Sequence, residues 1–79
     1  MTQGERSREV RKTLGLTLEK FGEKIGMKKN SVSQIENGKN SVTEQVVKSI
    51  CREFNVDYIW FTTGDGEMFI DTDDDFLER

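Results

Sequence analysis

Residues 16–39 read LTLEKFGEKIGMKKNSVSQIENGK, and two short apolar stripes run through them. Phe21 and Ile25 stand four residues apart and Val32 and Ile35 three apart, the spacing of one inward face on each of two helices. Thr17 is a hydroxyl N-cap for the first of these helices, with Glu19 at its positively polarised start and Gly26 at its end. The second is expected from about residue 29 to 36, with Asn37-Gly38 supplying a left-handed termination. Gly22 falls where the two helices must approach closely, so that only a small side chain fits. Gly26 falls in the turn, where a left-handed backbone costs glycine little.

A helix, a glycine turn and a second helix make a helix-turn-helix pattern. With Phe21, Ile25, Met27, Val32 and Ile35 turned inward, the outer face of the second helix consists of Lys29, Asn30, Ser33 and Gln34. A DNA major groove admits one α-helix; lysine suits guanine O6 and N7 there, and Asn or Gln suits adenine N6 and N7. The plainer alternative is that these polar groups only solvate an exposed helix. The start of the first helix, at Thr17 and Leu18, offers unpaired amides to an anion, and the loop Asn37, Gly38, Lys39, Asn40 adds amide side chains and a cation. Lys28 stands at the N-cap of the second helix, where it either contacts phosphate or leaves the helix uncapped.

Proline is absent and helical spacing persists to about residue 61, so the fold class expected is all-α. A helix from Glu5 to Leu14 precedes the pair, with Val10 and Leu14 on its inner face, Gly15 as its stop, and Arg6, Arg8 and Lys12 on or beside the solvent side. A fourth helix starts at Thr43, buries Val46 or Val47 with Ile50, Cys51 and Phe54, and closes at Asn55. Asp57 caps a short fifth helix carrying Tyr58, Ile59, Trp60 and Phe61. A helix this short cannot turn all of Tyr58, Ile59 and Phe61 inward, so at least one apolar side chain is left for a symmetric partner to cover. After Thr63 comes a two-glycine turn, TGDGEMF, and then the acidic IDTDDDFLER. The expected division is a binding domain over 1–66 and an acidic tail, or the start of a linker, over 67–79. Residues 73–79 resemble a helix start cut short, as in a fragment or a short relative of a longer protein.

At 79 residues the chain holds one small domain. Its net charge of −3 is unevenly spread: residues 1–52 carry eleven Lys and Arg against six Glu, or +5, and residues 53–79 one Arg against nine Asp and Glu, or −8. That asymmetry fits a basic binding body followed by a segment that avoids the same partner. One cysteine, Cys51, forms no internal disulfide, and no signal peptide or spanning apolar run is visible, so the expected location is the cytoplasm, away from membranes. Histidine is absent, which removes the usual general base and the commonest zinc ligand; no enzyme activity, cofactor or metal is expected. DTDDD at 71–75 is like the opening of a calcium loop, but Phe76 stands where that loop needs glycine and the chain ends before its closing Glu.

On LGLT at 14–17, IENGK at 35–39 and NVDYIWFTTG at 55–64, the sequence resembles the lambda-repressor and Cro-like (XRE) family over about residues 9–63. The resemblance implies a compact five-helix domain, base contacts from Lys29, Asn30, Ser33 and Gln34, and phosphate contacts from Thr17, Leu18, Asn37, Gly38, Lys39 and Asn40, often through backbone N–H groups. It implies a structural ion pair between Arg11 and Glu36, burial of Trp60 against Phe54 and Val56, and folding of Met68 and Phe69 back onto the domain. It also implies a homodimer through the region of Tyr58, Ile59 and Phe61, reading two half-sites roughly one helical turn, about 34 Å, apart. The chain departs from the family pattern at Leu18, where Gln is usual, at Lys28, where Ser or Thr caps, and at Ser7, where an apolar residue is usual and whose end of the helix is expected to fray. The function implied is a sequence-specific DNA-binding regulator of double-stranded operator DNA, of the phage or mobile-element repressor type. An antitoxin of the same fold, binding a toxin protein through the acidic tail, is the alternative, and a nuclease is the third class weighed.

Overall fold

The computed structural model describes residues 2–70, which form five helices: α1 (Gln3–Thr13), α2 (Leu18–Ile25), α3 (Lys29–Glu36), α4 (Glu44–Phe54) and α5 (Tyr58–Thr63). The readings attached to the acidic segment from Asp71 onward lie outside the described residues. Three helix starts follow from side-chain chemistry: Thr17, Thr43 and Asp57 each accept the N–H three residues on, at Lys20, Val46 and Trp60. α4 ends on Asn55 in the left-handed conformation, φ 59°, as the sequence suggests.

α1 begins two residues earlier than expected, and its start is held rather than frayed. Thr2 and Glu5 form a capping box: the Glu5 N–H donates to Thr2 Oγ1 at 3.1 Å and the Thr2 N–H donates to Glu5 Oε1 at 2.8 Å. The same hydrogen bonding holds the Glu5 carboxyl below its usual range. Ser7, which replaces an apolar residue, is buried without breaking the helix. Leu14, expected inward beneath Val10, is 41% exposed, because α1 stops at Thr13; Leu16 packs against the core instead.

The core is Val10, Phe21, Val47, Ile50, Val56 and Phe61, with Phe54 meeting Phe21 edge-on at 4.8 Å between ring centroids. Two assignments on α5 therefore change. Phe61, expected on a dimer surface, is fully buried, and Trp60, expected as the buried aromatic, is half-buried with its ring edge-on to Phe61 at 6.3 Å. Arg6, expected at the solvent side of α1, is also inside: its Nη1 donates to the Phe61 carbonyl at 2.9 Å, so the guanidinium satisfies a carbonyl at the negatively polarised end of α5.

Beyond α5 the chain turns back. Asp57 N–H donates to the Met68 carbonyl at 2.9 Å and Ile70 N–H to the Asn55 carbonyl at 2.8 Å, around an isolated antiparallel bridge between Val56 and Phe69. Met68 and Phe69 pack against the core, so residues 67–70 lie on the body of the domain. Cys51 is half-buried in α4, and burial, followed by the nearby Asp57 and Glu44 charges, pushes its thiol up and away from reactive thiolate. Among the described residues, no helix is long and apolar enough to cross a membrane.

Candidate nucleic-acid interface

α2 and α3 form the helix-turn-helix that the glycine spacing predicts. Gly26 takes φ 75° at the C-cap of α2, and a Cβ at Gly22 would collide with the Met27 carbonyl oxygen. The same approach lets Met27 N–H donate to the Gly22 carbonyl at 2.8 Å. Behind α3, Val32 and Ile35 are 2% and 6% exposed, and this anchoring leaves Lys29, Asn30 and Gln34 exposed with Ser33 half-buried beside them. The four side chains expected to read bases thus share one outer face of α3.

Three further observations shape this face. Lys28 is extended and makes no side-chain cap, so the first-turn N–H groups of α3 keep no intrahelical partner and are open to an anion. The start of α2 is similar: Thr17 Oγ1 satisfies the Lys20 N–H at 3.1 Å, while the N–H groups of half-buried Leu18 and of Glu19 precede the first intrahelical bond. These two helix starts therefore present backbone N–H donors without intrahelical partners.

The loop after α3 differs from expectation. Its backbone N–H groups all turn back to satisfy the end of α3: Asn37 to Ser33 at 3.0 Å, Gly38 to Ile35 at 3.1 Å, and Lys39 and Asn40 to Gln34 at 2.9 and 3.3 Å. Helix termination therefore competes with phosphate for the same donors, and what the loop still presents to an anion is the Lys39 ammonium and its amide side chains. Those amides are engaged too. Asn40 Nδ2 donates to Gln34 Oε1 at 2.7 Å, and Asn37 Nδ2 donates to Ser33 Oγ at 3.3 Å. Residues assigned from the sequence to phosphate and to bases are joined in pairs that no periodicity reveals.

Arg11 and Glu36 lock this assembly to α1. Arg11 Nε donates to Glu36 Oε2 at 2.7 Å, Nη2 to Oε1 at 3.2 Å and Nη1 to the Leu16 carbonyl at 3.0 Å, with the side chains 16% and 6% exposed. A bidentate pair in this setting fixes the end of α3 relative to α1. On and after α5, Tyr58 and Ile59 are 42% and 55% exposed, with Ile70 at 44%. The Tyr58 hydroxyl donates to Glu44 Oε2 at 2.9 Å, and that bond pushes the phenol up.

Residues 8–61 match the helix-turn-helix family. Among solved structures, the fold is similar to that of the P22 c2 repressor in complex with a synthetic operator, with a TM-score of 0.73 at 22% identity, covering 82% of this chain and 98% of that one. The chain is 39% identical over 56 residues to the antitoxin PezA of Streptococcus pneumoniae, and 36% identical over 67 residues to a propionyl-CoA carboxylase regulator of Cereibacter sphaeroides. These matches cover 71% and 85% of this chain but only 35% and 14% of the relatives, so the chain spans a minor part of their length. On the matched motif and the five-helix architecture together, the chain belongs to the helix-turn-helix family, in its lambda-repressor-like form.

Proposed function

We propose that this helix-turn-helix DNA-binding regulator reads operator half-sites from the major groove with Lys29, Asn30, Ser33 and Gln34 of α3. Phosphate is held by the starts of α2 and α3 and by Lys39, and the domain acts by binding rather than catalysis. The observation that carries this reading is the outer face of α3: long, hydrogen-bonding side chains on a helix whose other face is fixed inward by Val32 and Ile35. Gln34→Ala is expected to weaken binding to the preferred operator by about 1–3 kcal/mol and to relax one base position. Lys39→Ala is expected to weaken all sequences alike and to reduce the salt slope by about one. Titrations over a range of salt concentrations, on the operator and on scrambled DNA, separate the two. A uniform loss from both variants would mean that α3 does not read bases.

The same reading includes a homodimer on DNA. The surface available to it is Tyr58, Ile59 and Ile70, without Phe61, which the core holds. Ile59→Lys places a charge in that patch and is expected to leave the domain folded while reducing the sedimenting species on operator DNA from two protomers to one. A wild-type domain that sediments as a single protomer on a palindromic operator overturns the dimer.

A second reading is favoured by the 39% identity to the pneumococcal antitoxin: a DNA-binding antitoxin that regulates its own operon and binds a toxin protein. Expression together with the neighbouring gene decides between them, since an antitoxin co-purifies with the small protein encoded beside it and a free-standing repressor does not.

A further inference from the structure

Two of the side chains proposed to read bases are gripped by the loop that follows α3, and in both the gripped atom is an acceptor. Asn40 Nδ2 donates to Gln34 Oε1 at 2.7 Å, and Asn37 Nδ2 donates to Ser33 Oγ at 3.3 Å. Asn40 and Gln34 are also joined through the main chain, because the Asn40 N–H donates to the Gln34 carbonyl at 3.3 Å. The two residues are thus held in register by the turn that ends α3. Both are exposed, and Asn40 is the side chain that meets the end of Gln34.

A free glutamine amide can present either its oxygen or its NH2 group to a base, and the choice determines which edge it fits. We infer that Asn40 is a positioning residue that sets the polarity of Gln34, turning the carbonyl toward the loop and leaving the NH2 group outward as a donor. This rests on the base-reading role of Gln34 and deepens it. A donor aimed into the major groove meets guanine O6 and N7, thymine O4 or adenine N7, but finds no acceptor on the cytosine edge. The Gln34 oxygen keeps a second lone pair beside the one that accepts from Asn40, and adenine is still met by the NH2 group at N7, whereas cytosine offers only its N4 donor and is not met. At the base facing Gln34, the domain therefore selects an acceptor edge over cytosine. Ser33, with its oxygen accepting from Asn37, is biased in the same sense.

The test starts from an operator obtained by selection from random DNA. The position read by Gln34 is the one at which Gln34→Ala relaxes base preference. Affinities of the wild type, Asn40→Ala and Asn40→Asp are then measured on all four base pairs at that position, with the salt slope. The wild type is expected to disfavour cytosine there, and Asn40→Ala to narrow that discrimination about tenfold while leaving other positions and the salt slope unchanged. In Asn40→Asp the carboxylate only accepts, so the Gln34 NH2 group turns inward, its oxygen turns outward, and preference moves to adenine or cytosine. Ratios between base pairs cancel the general repulsion of the added charge from phosphate. The inference is overturned if Asn40→Ala lowers affinity equally on all four base pairs with a shallower salt slope, which is the signature of a phosphate contact. It is also overturned if Asn40→Asp discriminates against cytosine as strongly as the wild type does. If Gln34→Ala leaves every base preference intact, the base-reading role itself falls and this inference falls with it. That outcome is distinct, because no position then exists for Asn40 to modulate.

Discussion

Phe61→Ala is expected to destabilise the domain by about 4 kcal/mol, enough to unfold a large fraction of it near body temperature. The side chain is fully buried against Val10, Phe21, Val47, Ile50 and Val56, so its removal leaves a cavity in the centre of a core with few other large members. Its backbone carbonyl is also the acceptor for buried Arg6, so a shift of α5 to fill the cavity would pull that carbonyl away from the guanidinium. Collapse is therefore a poor route to relief, and the loss should lie well inside the range seen for buried aromatics rather than below it. Urea unfolding followed by circular dichroism measures it. The contrast with Ile59→Lys is sharp: both positions look like surface apolar residues from the sequence, yet one variant should lose stability and the other only association. A Phe61→Ala domain as stable as the wild type would place Phe61 outside the core.

Why that distinction was not legible is a matter of helix length. α5 has six residues, fewer than two turns, and its four consecutive large side chains contain no period that says which of them faces inward. The choice is made by what packs around it: α1 contributes Arg6, fifty-five residues away, and the return of residues 67–70 fixes Val56 and covers the neighbouring core. By contrast, the starts and ends of α2 and α4 were readable, because a hydroxyl cap, a spaced apolar stripe and a left-handed terminator are all local signals, although the choice between Val46 and Val47 was left to packing, which buries Val47. The early start of α1 was also written locally, in the Thr2 and Glu5 spacing of a capping box, although no apolar run pointed to it. In the candidate interface, the orientation of Lys29, Asn30 and Gln34 followed from the inward position of Val32 and Ile35. The pairing of Gln34 with Asn40 did not, since it depends on how the turn closes over the end of α3. Sequence periodicity reports which face a residue occupies; it says nothing about which neighbour holds the end of its side chain.

The second large effect is expected from Glu36→Ala, at about 3 kcal/mol. Removing the carboxylate leaves Arg11, only 16% exposed, with a charge that retains a single acceptor, the Leu16 carbonyl. The loss then consists mostly of an uncompensated, partly desolvated cation rather than of a missing attraction. That account makes a further demand. Replacing both members by apolar residues of similar volume, as in Arg11→Met with Glu36→Leu, removes the stranded charge and is expected to recover most of the stability lost in Glu36→Ala. DNA binding need not recover with it. The bidentate bond fixes the end of α3 against α1, and an apolar pair packs without that directional constraint, so the double variant is expected to fold well yet hold α3, and with it Gln34, less firmly in register. Urea unfolding of Glu36→Ala and of the double variant, set beside operator affinity for each, tests both halves. If the double variant were no more stable than Glu36→Ala, the pair would be stabilising through its own attraction. If it matched the wild type in discriminating operator from scrambled DNA, the pair would have no part in positioning the reading face.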